Sequence, residues 1–308
     1  MRPARFLFIA LVSTWVAARL TAADSGTAAE ADAASGEAAP EKVPVAETMS
    51  AREFRLVRER EAAIWDRLRR AGDDPEAAKR AEADFRDVTT AYENVLRMSP
   101  ENAEAWAAYG MLLSRTGNRE QATMAFLKAN RLDASMPLVK NQLGNYLFED
   151  GDYRAALGYY LAAVELAPGE ALYHYHLGTL LREYREFFID DGMFERPVLD
   201  AKMHEAFRLA SRLEPDNWGF AYRFAESFYD LESPDWVAAL VVWDRLEKRT
   251  PPGPEADAIR LHRANVLIRL DCPEDARALV ETVTDPALAE TRNELLERLE
   301  KAAKPAVP

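Results

Sequence analysis

Residues 103–136, AEAWAAYGMLLSRTGNREQATMAFLKANRLDASM, and residues 137–170, PLVKNQLGNYLFEDGDYRAALGYYLAAVELAPGE, align without a gap, and their shared step of 34 residues decides how the chain folds. Trp106, Lys140 and His174 stand 34 apart, as do Gly110, Gly144 and Gly178. The pairs Leu113/Leu147, Gly117/Gly151, Ala122/Ala156, Phe126/Tyr160 and Ala129/Ala163 keep the same step. Within each stretch Trp106 or Lys140, Tyr109 or Leu143, the glycine and the following leucine are spaced i, i+3, i+4 and i+7. They therefore lie on one face of a first helix. A side chain at Gly110 or Gly144 would push that helix away from the second, where Ala122 or Ala156 permits approach and Phe126 or Tyr160 fills the volume. Gly117 and Gly151 fall in the turn between helices, where positive φ is required. Pro100, Pro168 and Pro215 each end a second helix. A fixed period of this length predicts stacked helix pairs, each burying its apolar face against its neighbours.

The register extends outward from these two stretches. A third unit opens with Leu177, Gly178 and Leu181, but its closing Pro215 lies 47 residues after Pro168, an insertion of 13. The extra residues fall around Phe187–Phe194, within 184–200, and are expected as a loop on one edge of the array. A fourth unit starts at Trp218 with Phe224, Ala225, Phe228, Ala239 and Trp243. A weaker fifth carries Ala264, Leu267, Ala276 and Val280. Residues 287–303, with Leu288, Leu295, Leu296 and Leu299, read as a capping helix. Before the array, Phe54, Val57, Ile64, Trp65 and Leu68 recur at helical intervals, and Asp74-Pro75 opens a second helix with Phe85, Val88, Tyr92 and Val95. Residues 49–99 therefore form a helical hairpin, either a degenerate repeat or a cap.

The chain has 308 residues, 48% of them hydrophobic, and a formal net charge of −13. Residues 1–23 have the layout of an export signal, with Arg2 and Arg5, an apolar run from Phe6 to Ala18, and small residues up to Ala23. The run is shorter than the ~20 residues that span a bilayer, so a cleaved signal and a periplasmic or secreted product are expected. The only membrane contact expected is through that signal. Removing it takes away Arg2, Arg5 and Arg19 and no acid, moving the net charge from −13 to −16. Such a chain repels phosphate backbones, and the densest basic stretch, Arg52 to Arg70, is interleaved with Glu53, Glu59, Glu61 and Asp66, so no nucleic-acid partner is expected. Residues 24–48, rich in Ala and Glu, lack the apolar content to offset ordering entropy and read as a disordered linker. A lone Cys272 excludes an intramolecular disulfide.

Nothing in the chain has the spacing of a catalytic or metal site. His174 and His176, two apart on a helix, point about 200° from one another and cannot readily share an ion. Asp190-Asp191-Gly192 lacks the alternating oxygens and closing Glu of a calcium loop. P-loop, dinucleotide and nucleophile-elbow motifs are missing. No cofactor and no enzymatic activity are expected.

The quoted residues resemble the tetratricopeptide repeat family, whose pattern places Trp, Leu, Gly, Tyr, Ala, Phe, Ala and Pro along the unit. The first stretch departs with Ala134 where the second has Pro168, and the second departs with Lys140 in the Trp place. The resemblance implies an all-α, right-handed α-solenoid of helix-turn-helix repeats over 103–286, with a concave groove lined by the first helix of each unit. Carried onto this sequence, the groove positions are Asn141, Asn145 and Phe148, then Tyr175, Thr179 and Arg182, then Tyr222, Glu226 and Tyr229. The fifth unit contributes Asn265, Ile268 and Arg269. Asn pairs with both donors and acceptors of an extended peptide, and Tyr offers apolar area with a polar tip. The paired-carboxylate clamp of some family members needs a Lys where this chain has Ala107, Asn141 and Tyr175. The expected function is an exported scaffold binding a protein or peptide in its groove. The alternative is a structural subunit of an envelope assembly, packing through solenoid edges and the 187–194 insertion without a peptide ligand. Oligomeric state and partner identity stay open.

Overall fold

The computed structural model describes residues 48–303. The signal at 1–23 and the linker, save its last residue Thr48, lie outside the described residues. All regular structure among the described residues is helical. Two compact units divide at Pro168/Gly169.

The N-terminal unit holds α1 (Met49–Ala71), α2 (Pro75–Met98), α3 (Ala103–Arg115), α4 (Arg119–Leu132), α5 (Pro137–Glu149) and α6 (Tyr153–Leu166). Four of these six helices start where the sequence supplies a side-chain acceptor for the orphan amides of the first turn. Thr48 accepts from Ala51 N at 3.1 Å, Asp74 from Glu76 N at 3.0 Å, Asn102 from Ala105 N at 2.9 Å and Asp152 from Ala155 N at 3.1 Å. Gly117 and Gly151 turn the chain at φ of 81° and 80°, a region closed to most side chains. α3 packs on α4 and α5 on α6. An ideal Cβ on Gly110 would sit 2.7 Å from the Phe126 ring, and one on Gly144 would sit 2.8 Å from the Tyr160 ring. The glycines thus bring each helix pair to contact distance, as their spacing implies. The α1–α2 hairpin buries Val57, Ile64, Phe85 and Tyr92 together with Leu112 of α3. The buried Glu61 carboxylate accepts from the Tyr92 hydroxyl at 2.6 Å and the Trp65 indole at 3.1 Å.

The C-terminal unit runs α7 (Ala171–Glu183), α8 (Arg185–Asp190), α9 (Arg196–Leu213), α10 (Trp218–Ser227), a 3-10 turn at Phe228–Asp230, α11 (Trp236–Arg249), α12 (Pro254–Arg269), α13 (Pro273–Glu281) and α14 (Ala289–Ala303). Gly178 repeats the close approach, its ideal Cβ lying 2.9 Å from the Phe207 ring. The glycine-to-aromatic separation is 16 residues in the first two pairs and 29 here, so all 13 inserted residues lie between α7 and Phe207. The expected loop is instead mostly helical: α8 and a lengthened α9 absorb the insertion. The reason is Phe188, which faces inward, fully buried, with Phe194 meeting it edge-on at 5.8 Å. That burial favours one helical turn over open coil. In the fourth pair Ala225 takes the glycine's place, wholly buried in a cluster with Trp243. α14 closes the unit by laying Leu295 and Leu299 against Leu261, Leu267 and Val280, a cluster that half-buried Cys272 borders.

Candidate partner-binding surface

In the N-terminal unit the three candidate residues occupy successive turns of α5. Asn141 is buried at 1% exposure, whereas Asn145 and Phe148 are half-buried. The Tyr160 hydroxyl donates to Asn145 Oδ1 at 2.8 Å. Tyr160 therefore does two things at once. Its ring covers Gly144, and its hydroxyl fixes the amide one residue further on. Burial, with Glu149 nearby, pushes the Tyr160 pKa up, so the phenol stays a donor.

In the C-terminal unit the candidates separate into packed and open groups. Tyr175 lies against Phe220 at 5.0 Å and Phe207 at 5.8 Å. Tyr222 is 2% exposed. It stacks on Trp218 at 4.7 Å, meets Trp243 edge-on at 5.3 Å, and shares a hydrogen bond of 2.9 Å with His262 Nε2. The His262 ring lies parallel to Trp243 at 4.3 Å. Tyr222, expected in the groove, is thus a packing residue, and these contacts tie α10 to α11 and α12. Tyr229 is half-buried, donates to the His262 carbonyl at 3.2 Å, and with Trp236 underlies the Arg269 guanidinium.

Arg182 and Glu226 belong to an ion-pair network built on Asp230 and Arg223. Arg182 of α7 reaches Asp230 at 3.6 Å, Arg185 of α8 reaches it at 3.6 Å, and Arg223 of α10 at 3.4 Å. Arg223 also holds Glu226 at 2.8 Å, and Arg185 holds the buried Asp200 at 3.0 Å. Thr179 donates to the Tyr175 carbonyl at 2.9 Å. Burial raises the Glu226 pKa against the opposing pull of Arg223, so this carboxylate resists ionisation more than an exposed one. Arg182, Glu226 and Asp230 each keep 14–21% of their side chains exposed, which leaves donors and acceptors at the surface in fixed directions. Sequence reasoning had not singled out Arg185, Asp200 and Arg223 for this network. Arg223 could have been noticed as a charge inside the aromatic run Phe220–Phe224. Arg185 and Asp200 lie in the insertion, where no register points to them. Among the described residues no cluster of His, Cys, Asp and Glu is arranged to hold a metal, and no helix is long and apolar enough to cross a membrane.

A sequence profile of the tetratricopeptide repeat matches residues 103–136, the first quoted stretch. That stretch carries a tetratricopeptide repeat, and the fold class is the all-α solenoid of helix-turn-helix units. A DnaJ homolog subfamily C member 7 homolog from Schizosaccharomyces pombe is 27% identical over 170 residues, 46% of this chain and 34% of that protein. The match thus spans about a third of that relative's length. Among solved structures, YrrB, described as a TPR protein with an unusual peptide-binding site, superposes with a TM-score of 0.53 at 15% identity, covering 70% of this chain and 98% of that one. PilF of Pseudomonas aeruginosa gives 0.50 at 18% identity, covering 81% and 98%. Naa15/Naa10 bound to HypK-THB gives 0.50 at 18% identity, covering 82% and 35%. At these identities the likeness is one of fold alone.

Proposed function

We propose that this chain is an exported, non-catalytic scaffold that holds a segment of a partner protein on the first-helix faces of its repeats. The observation that carries the reading is the Arg182–Asp230–Arg223–Glu226 network. Two consecutive first helices and the turn after the second place guanidinium donors and carboxylate acceptors side by side, partly open to solvent. Preorganised groups of both signs suit a peptide, whose backbone offers donors and acceptors alternately. Asn145, its amide steadied by Tyr160, supplies the same dual chemistry in the N-terminal unit. Phe148, one turn on from Asn145 in α5, and Thr179, bonded to the Tyr175 carbonyl in α7, add half-buried side chains to these faces. The peptide-binding site named for YrrB is consistent with such a use of the fold.

Capture by the full mature chain tests this. Phe148→Ala with Thr179→Ala touches one half-buried residue in each unit, so helicity should hold while partner capture weakens by about 1–3 kcal/mol. Equal capture by equally folded proteins would move the binding site off the first-helix faces. Export carries its own test. The mature N-terminus should read from Asp24, and an intact Met1 product in the cytoplasmic fraction would contradict it.

A further inference from the structure

We propose that the insertion carries a second docking surface, separate from the first-helix faces, for a partner segment with an apolar centre and a cationic rim. While Phe188 points into the core, its neighbour Phe187 is 56% exposed, and Met193 and Val198 are 42% and 45% exposed. These side chains belong to one folded substructure. Met193 N and Phe194 N both donate to the Phe188 carbonyl, at 3.0 and 3.4 Å, which folds the turn back on α8. Gly192 makes that turn at φ 67°. Arg196 reaches Glu186 at 3.5 Å and Asp200 at 3.2 Å, fastening the start of α9 to α8. Apolar groups held out on an ordered element, rather than scattered singly, mark a contact surface.

Charge selects the occupant. Glu183, Glu186, Asp190, Asp191 and Glu195 are all exposed in the same stretch of chain. Glu183 is paired with Arg182, yet residues 183–200 hold six carboxylates against two arginines and stay net negative. Arg185 is turned inward onto Asp200 and Asp230, and Arg196 is engaged with Glu186 and Asp200. A second copy docking through this patch about a two-fold axis would bring acidic rim onto acidic rim, which is repulsive. An apolar segment flanked by Lys and Arg gains from both the centre and the rim.

The test uses the full mature chain and two short amphipathic helical peptides of matched hydrophobicity, one built of Leu and Lys, the other of Leu and Glu. Fluorescence anisotropy should show the wild type binding the Leu/Lys peptide at least about tenfold tighter than the Leu/Glu peptide, and more weakly as salt rises. Phe187→Ser with Val198→Ser, and separately Asp190→Lys with Glu195→Lys, should each weaken Leu/Lys binding by about tenfold with an unchanged circular dichroism spectrum. The first-helix variant Phe148→Ala/Thr179→Ala should bind it as the wild type does. Absence of Leu/Lys binding to the wild type would overturn the proposal. So would equal binding by the Phe187/Val198 variant, which would reduce the effect to general attraction by an acidic chain. A wild-type dimer in sedimentation equilibrium that the same variant dissolves would assign the patch to a second copy instead.

Discussion

Gly144 and Gly158 sit in the two helices of one pair, and they predict opposite responses to an added side chain. At Gly144 an ideal Cβ meets the Tyr160 ring at 2.8 Å, while at Gly158, exposed on α6, nothing lies within 4 Å. Gly144→Leu should cost about 1–3 kcal/mol by overpacking. Gly158→Ala should add roughly 0.5–1 kcal/mol, because the unfolded chain loses freedom and the helix loses nothing. Chemical denaturation of the two variants checks both signs, and a Gly144→Leu protein as stable as the wild type would contradict the packing described here. The role of Gly144 was legible in the sequence because its partner lies at a constant separation within a repeating unit. Tyr222 was not legible in the same way. Its position in the unit marks it for the groove, but its burial comes from Trp243 and His262, which belong to other helices and obey no shared spacing with it.

At the level of elements, α12 carries a titration that the fold imposes. Burial among Tyr222, Tyr229 and Trp243 disfavours the His262 imidazolium and lowers its pKa from the ordinary 6.5 to about 3. Protonation then favours the unfolded chain. The stability contributed by neutral His262 is complete above pH 6.5 and is lost as pH falls toward 3, by up to about 1.4 kcal/mol per pH unit. Comparing the wild type with His262→Gln isolates this from the protonation of carboxylates. The stability difference should be constant above pH 7 and should shrink as pH falls below about 6. A difference independent of pH would show that His262 is not neutralised by burial. The insertion shows the converse limit of sequence reading at this scale. Its length and location follow from the displaced Pro215, but its helical form depends on Phe188 finding a core and Arg185 finding Asp200 and Asp230. Those partners are tertiary, and no periodicity announces them.

For the molecule as a whole, the principal helix contacts within each unit join helices adjacent or next but one along the chain, α3 with α4, α5 with α6, α7 with α9, α12 with α13. Local contact is why so much of the architecture could be read from spacing alone: a repeat that packs on its neighbours writes its packing into its own period. Partner binding is proposed for the first-helix faces of these pairs. Site-specific photo-crosslinking in the native host tests that assignment most directly. A photoreactive residue placed at Phe148 or at Thr179 should join the protein to a discrete partner. The same residue at Leu127 of α4 or Val237 of α11, both exposed on second helices, should not. Crosslinks from Leu127 and Val237 with none from Phe148 or Thr179 would contradict the account.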